Sequence, residues 1–354
     1  MNGGFRRVFS FVAALLSLAD FSRAQFAYVA NGGGSNDVSA YRVGEHGDLR
    51  PVPGSPFEAG NLPSGLAVDG TGRFAYVVNE GGNSVSAYAI REDGSLTTVP
   101  GSPFPTETNP HEVAVNSTGK FAYVVNAVSN NVSGYQINAN GALTTIAGSP
   151  FPAGSFPRSI AVDPAGKFAY VANQVSNDVS AYRIAQNGSL TPIAGAPFAA
   201  GIGPFSVAVN PTATFAYVVN EGGGNVSAYA IRADGSLRAV EGSPFAVGSD
   251  PVDVTVHPSG KFLYVANQVS HDVSAFRILD NGVLTSIPGS PFNAGVESVS
   301  VAAEPGGKFL YVASKFSHNV WAFRIGEDGT LTLVADSPFP AGVGPNSTAF
   351  SPPL

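Results

Sequence analysis

The chain has 354 residues, 44% of them hydrophobic and 12% charged, with a formal net charge of −7, 42 glycines, 27 prolines and no cysteine. An acidic chain with no Lys/Arg cluster argues against a nucleic-acid partner. The lack of thiols excludes disulfides, thiolate metal sites and a cysteine nucleophile.

Residues 1–24 read as a secretory signal peptide. Arg6 and Arg7 form a basic start, Val8 to Leu18 a short apolar stretch, and Ser22-Arg23-Ala24 places small residues where a signal peptidase cuts. The stretch is too short to cross a bilayer, which takes roughly 20 residues. The expected product is an exported monomer, periplasmic or extracellular, spanning 25–354 with no transmembrane segment.

The rest of the chain is a repeat. Phe-Ala/Leu-Tyr-Val begins at Phe26, Phe74, Phe121, Phe168, Phe215, Phe262 and Phe309, with a first step of 48 residues and 47 thereafter. A Val-Ser-Ala-Tyr element and a Gly-Ser-Pro-Phe element keep the same period and the same sevenfold count. One unit, read from Pro157, gives four strands. Ser159–Val162 is strand A, followed by an Asp163-Pro164-Ala165-Gly166 turn. Phe168–Ala172 is strand B, with side chains alternating across two faces. Val179–Ile184 is strand C. Asn187-Gly188 marks a tight hairpin, because both residues tolerate positive φ. Ser189–Ile193 is strand D, whose Pro192 suits an edge. The phenylalanine of Gly-Ser-Pro-Phe is expected to pack between units.

Four antiparallel strands per unit, seven times over, predict an all-β fold: a seven-bladed β-propeller of four-stranded antiparallel blades. No blade buries both faces alone, so stacking into a ring is favoured. The first unit starts at strand B (Phe26), and the chain finishes on Pro345–Phe350, which matches strand A. Pairing of the C-terminal strand A with the N-terminal strand B therefore closes the ring and removes a free edge.

Positions identical in every unit are accounted for by the fold, whereas variable ones are free to carry a site. The residue opening strand A is Ser64, His111, Arg158, Phe205, Val252, Val299 or Asn346. The next is Gly65, Glu112, Ser159, Ser206, Asp253, Ser300 or Ser347. His111, Glu112, Arg158 and Asp253 are expected to converge on the channel, with Glu80, Glu221 and Lys315 nearby. Histidine and carboxylates supply general acid–base chemistry, and arginine binds an anion or a developing oxyanion. His257 reads as structural, His271 and His318 as solvated hairpin residues. The Asn that ends strand B reads as a turn-stabilising side chain. Neither a metal nor a cofactor is expected, since no ligand pattern or phosphate loop is present.

The Tyr-Val-Ala/Val-Asn strand, the 47-residue unit and the Pro-Gly-Lys-Phe-type turns resemble the seven-bladed lactonase family, which includes 6-phosphogluconolactonase and carboxymuconate lactonizing enzyme, and also the YVTN surface-layer repeats. The resemblance implies a channel-mouth set of one His, two Arg and one Glu. Asn109-Pro110-His111 matches the segment carrying the His, and Phe156-Pro157-Arg158 the segment carrying one Arg. Gln174 stands where the Glu falls and Val252 where the second Arg falls. The implied function is opening of a cyclic ester. His111 and Arg158 are its catalytic pair, Glu112 or Glu221 assists, and Arg158, Gln174 and Asp253 contact a small lactone or sugar-derived ligand. The alternative is a non-catalytic exported propeller that binds a protein or glycan.

Overall fold

The computed structural model describes residues 25–353; the leader read in residues 1–24 lies outside them. The described residues form strands and turns only, and no helix among them is long and apolar enough to cross a membrane. Burial explains which segments become which strands. All of Phe168–Asn173 is buried, because each face of this strand meets a neighbouring blade. Leu190–Pro192 buries only its leucine and forms the rim.

Each of the seven sheets follows the path A–B–C–D. In the fourth blade, Pro157–Val162 pairs with Phe168–Asn173, then Asp178–Ile184, then Leu190–Pro192, all antiparallel. Beyond the predicted four, Phe198–Ala199 pairs with the start of strand C as a short fifth segment. The Gly-Ser-Pro-Phe element thus adds backbone pairing as well as a core phenylalanine. The blades are cemented by seven apolar clusters, each drawn from two successive blades.

The Asn/Asp-Gly turn does more than reverse the chain. Gly188 has φ +84°, and a Cβ there would lie 2.5 Å from the Phe121 ring of the preceding blade. Tyr123, buried on the same strand as Phe121, donates its hydroxyl to the Gly188 carbonyl at 2.8 Å. The Tyr-to-Gly bond recurs at every blade boundary, including Tyr311 to Gly47 across the closure. Glycine is needed here both for its positive φ and for the close approach of the ring.

Closure uses the predicted pair of strands. Gln25–Asn31 pairs with Asp37–Val43 on one side and with Pro345–Phe350 on the other, Tyr28 opposite Ala349. Ser351 extends the junction: its N–H donates to the Phe26 carbonyl at 2.9 Å, and its hydroxyl accepts from the Phe26 N–H at 3.0 Å. The inner strands touch in cyclic order around the axis, Pro345–Phe350 lying between Ser298–Ala303 and Pro63–Val68.

Candidate active site

The residue that opens each inner strand is thrown out of register by a bulge. Pro110 pairs with Asn126 and Glu112 with Val125, so His111 is left unpaired between them. The same shift isolates Arg158, Phe205, Val252, Val299 and Asn346. A bulge re-aims the side chain it carries, and all of these residues line one cavity of about 190 Å³ on the axis. The residue that follows each of them also lines it, as do Glu80, Gln268 and Lys315. Around the ring the bulged positions divide into two arcs. Asn346, Ser64, His111 and Arg158 form a polar arc, and Phe205, Val252 and Val299 an apolar one.

Arg158 is held on three sides. Its guanidinium carbon stands 4.6 Å from the Phe156 ring centre and 5.0 Å from that of Phe205. Its Nε donates to Gln174 Oε1 at 2.8 Å. Gln174 Nε2 in turn donates to a Glu221 carboxylate oxygen. Burial draws the Arg158 pKa down while Glu80 and Glu221 draw it back, and arginine starts high enough to remain a cation. His111 packs edge-on against the same Phe205, ring centres 5.6 Å apart. Its Nδ1 lies 2.9 Å from the Arg158 carbonyl. A carbonyl only accepts, so the proton sits on Nδ1 and the Nε2 lone pair is free for a ligand. Burial, then the Arg158 charge, push the His111 pKa down to about 3, against the pull of that hydrogen bond. The imidazole is therefore neutral at ordinary pH.

Glu112 and Asp253 line the cavity and also bridge blades. A Glu112 carboxylate oxygen accepts the Ile160 N–H of the next inner strand at 3.2 Å, and Asp253 accepts that of Val301 at 2.8 Å. Ser159, Ser300 and Ser347 make the equivalent bond with their hydroxyls. This position is thus an inter-blade stitch that any short acceptor can fill. Burial pushes the Glu112 pKa up to about 8, helped by the Asp253 charge and opposed by Ser159. Burial also lifts Asp253 to about 6, against hydrogen bonds from Val301 and Ser206.

Of the residues singled out in the sequence, His111, Glu112, Arg158 and Asp253 meet at the cavity, joined by Glu80 and Lys315. Gln174 and Glu221 are not on its wall. They stand behind Arg158 and fix its orientation. Asn109 Nδ2 donates to Glu80 at 2.9 Å, which positions that carboxylate. Phe205, shared by His111 and Arg158, was not singled out as functional. Its signal was present: an aromatic at the same repeat position, one blade on from Arg158.

The other candidates are structural. His257 bridges to the Gly307 carbonyl at 2.7 Å. His271 and His318 are not simply solvated. His271 Nδ1 lies 2.8 Å from the Gln268 carbonyl and 3.1 Å from the Glu297 nitrogen, in the loop that leads into the next inner strand, and His318 Nδ1 accepts the Gly344 N–H of the equivalent loop at 3.1 Å. Asn36, Asn83, Asn130 and Asn177 do the same with their amide oxygens. The Asn ending strand B is buried and donates to strand-C side chains, as Asn173 does to Asp178 and Ser180. Among the described residues no group of three or more His, Cys, Asp or Glu could hold a metal ion.

The family described as "Lactonase, 7-bladed beta-propeller" matches residues 19–197 and again 179–344. The chain belongs to this lactonase family. Among solved structures, this lactonase-family chain is similar to a proposed 6-phosphogluconolactonase from Bacteroides uniformis ATCC 8492, with 20% identity and a TM-score of 0.81 over 93% of this chain and 99% of that one. A second, from Bacteroides fragilis NCTC 9343, has 23% identity and a TM-score of 0.79 over 94% and 99%. The periplasmic gluconolactonase of Pseudomonas aeruginosa has 20% identity and a TM-score of 0.76 over 93% and 99%. At these identities the likeness is one of fold. No curated protein matches the sequence.

Proposed function

We propose that this protein is an exported lactone hydrolase whose reacting groups are His111 and Arg158. The observation that carries the reading is their pairing at one cavity: a neutral imidazole with a free Nε2, and a guanidinium clamped between two aromatic rings. Membership of the lactonase family and a periplasmic gluconolactonase of the same fold support it.

In the proposed reaction, His111 Nε2 takes a proton from water as the water oxygen bonds to the lactone carbonyl carbon, the negative charge growing on the carbonyl oxygen offsetting the burial and the Arg158 charge that lower its basicity in the free protein. An Arg158 N–H donates to the carbonyl oxygen as it gains negative charge. The tetrahedral intermediate then collapses, the ring C–O bond breaks, and the imidazolium returns its proton to the departing ring oxygen. Gln174 and Glu221 hold Arg158 in place, and Phe205 fixes the spacing between guanidinium and imidazole.

The test is a lactone-opening assay on the mature protein with His111→Ala and Arg158→Ala. Each change is expected to lower kcat by roughly 10²–10⁴-fold, the range for loss of a general base or an oxyanion donor. Full activity in both variants would remove this site. Absence of turnover on any lactone would leave a binding role on a protein or glycan.

A further inference from the structure

We propose that the face around the cavity mouth docks a partner protein whose contact surface is apolar and ringed by lysine and arginine. Each blade sends two segments to this face: the hairpin that joins strands B and C, and the loop that leads into strand A. Within a blade the two are bonded together. Val175 N–H donates to the Ser155 carbonyl at 3.1 Å, and Gly33 N–H to that of Val343 at 2.8 Å. Of the ten large hydrophobic side chains exposed among the described residues, eight lie on these segments.

Their placement is not scatter. Where the hairpin carries glycine, the loop carries the large side chain: Leu62 faces Gly81, Ile202 faces Gly222 and Val343 faces Gly33. Where the loop carries Thr108, Ser155 or Ser249, the hairpin of the same blade carries Val128, Val175 or Val269. The last blade has both, Val296 and Phe316. Two positions thus exchange one task, and every blade presents at least one apolar side chain, 43–66% exposed. Close packing accounts for a small residue beside a large one. It does not account for large ones left in solvent in all seven blades. A closed ring of exposed apolar groups marks a docking surface.

Charge identifies the occupant. In the same hairpins and loops the acids are Glu80, Glu107, Glu221, Asp250 and Glu297, and Lys315, which lines the cavity, is the sole Lys or Arg. Asp37, Asp178 and Asp272 border them at the starts of strand C. A bilayer is a poor match, since proteins that lie on membranes meet the headgroups with Lys and Arg. A second copy meeting face to face would set acid against acid. A partner with an apolar centre and a basic rim gains both burial and charge pairing. Seated on the ring, it covers the entrance to the cavity.

Calorimetry on the mature protein measures binding of three synthetic helical peptides of equal length, built of leucine and lysine, leucine and glutamate, or serine and lysine. The leucine/lysine peptide is expected to bind most tightly, at one site per chain. Val175→Ser/Val269→Ser/Phe316→Ser should weaken it at least about tenfold through lost apolar burial. Glu107→Gln/Asp250→Asn/Glu297→Gln should weaken it about threefold to tenfold at low salt and flatten its salt dependence. Leu279→Ser/Leu333→Ser, at the two exposed apolar positions elsewhere, should change nothing. Urea unfolding checks that each variant is folded. Equal affinity for the leucine/glutamate or the serine/lysine peptide overturns the inference, as does an affinity that neither triple variant alters. Two further results assign the ring to another occupant and overturn it too: flotation with phosphatidylcholine/phosphatidylglycerol vesicles, or self-association in sedimentation, either one lost in Val175→Ser/Val269→Ser/Phe316→Ser. Every readout is binding, so the outcome does not depend on whether the protein opens a lactone.

Discussion

Replacing Glu112 by glutamine keeps an acceptor for the Ile160 N–H and removes a titrating group from the cavity. In the folded protein Glu112 keeps its proton up to about pH 8, against an ordinary value of 4.5. A carboxyl whose pKa is raised by folding favours the folded state fully below 4.5 and loses that advantage as the pH climbs through 8. Asp253 acts with the same sign, but its range ends near its folded value of about 6. The interval from pH 6 to pH 8 therefore isolates Glu112. One proton held by the folded state and released by the unfolded chain is worth at most about 1.4 kcal/mol per pH unit, or about 2 kcal/mol over this interval after partial titration near pH 8. His111 acts in the opposite sense. Its lowered pKa makes stability rise from about pH 3 to about 6.5 and level off above that, and this is common to both proteins and cancels in the comparison. Urea unfolding at pH 6, 7 and 8 should show that the wild type loses up to about 2 kcal/mol relative to Glu112→Gln across the series. Glu112→Ser, the residue used at Ser159, Ser300 and Ser347, should behave like Glu112→Gln. Glu112→Ala strands the Ile160 N–H and should cost about 1–3 kcal/mol at every pH. A wild-type pH slope retained in Glu112→Gln would refute the assignment of a protonated Glu112.

Tyr170→Phe removes a hydroxyl that reaches the Gly235 carbonyl of the next blade at 2.9 Å. It should cost about 1 kcal/mol in urea unfolding with no change in lactone kinetics, and an unchanged midpoint would show that this lock is dispensable. Export predicts that the mature protein recovered from outside the cytoplasm begins at Gln25, read by N-terminal sequencing; a product starting at Met1 would remove the signal assignment.

The ring was legible because it is written seven times. Strand B announces itself through Phe-x-Tyr-Val, and the offset between Phe26 and Pro345–Phe350 discloses which strand closes which sheet. The set of positions facing the axis was legible too, because variation among seven copies separates what the fold requires from what it leaves free. The orientation of individual side chains was not. The bulge at His111 and Arg158 depends on pairing with a strand more than ten residues further on, and no local pattern encodes it. Glu112 and Asp253 looked like chemistry because carboxylates are conspicuous among serines. Their shared task with Ser159 and Ser300, accepting an N–H from the neighbouring blade, becomes visible only once adjacent inner strands lie side by side. Gln174 and Glu221 reach Arg158 through contacts between strands of two blades, which spacing along the chain does not specify.

The junction between Gln25–Asn31 and Pro345–Phe350 has a temporal consequence. During synthesis the first sheet lacks its innermost strand until Pro345–Phe350 have emerged from the ribosome, so the ring cannot close before then. The other six sheets draw only on strands between those two segments, so their strands are all in place before the seam is sealed.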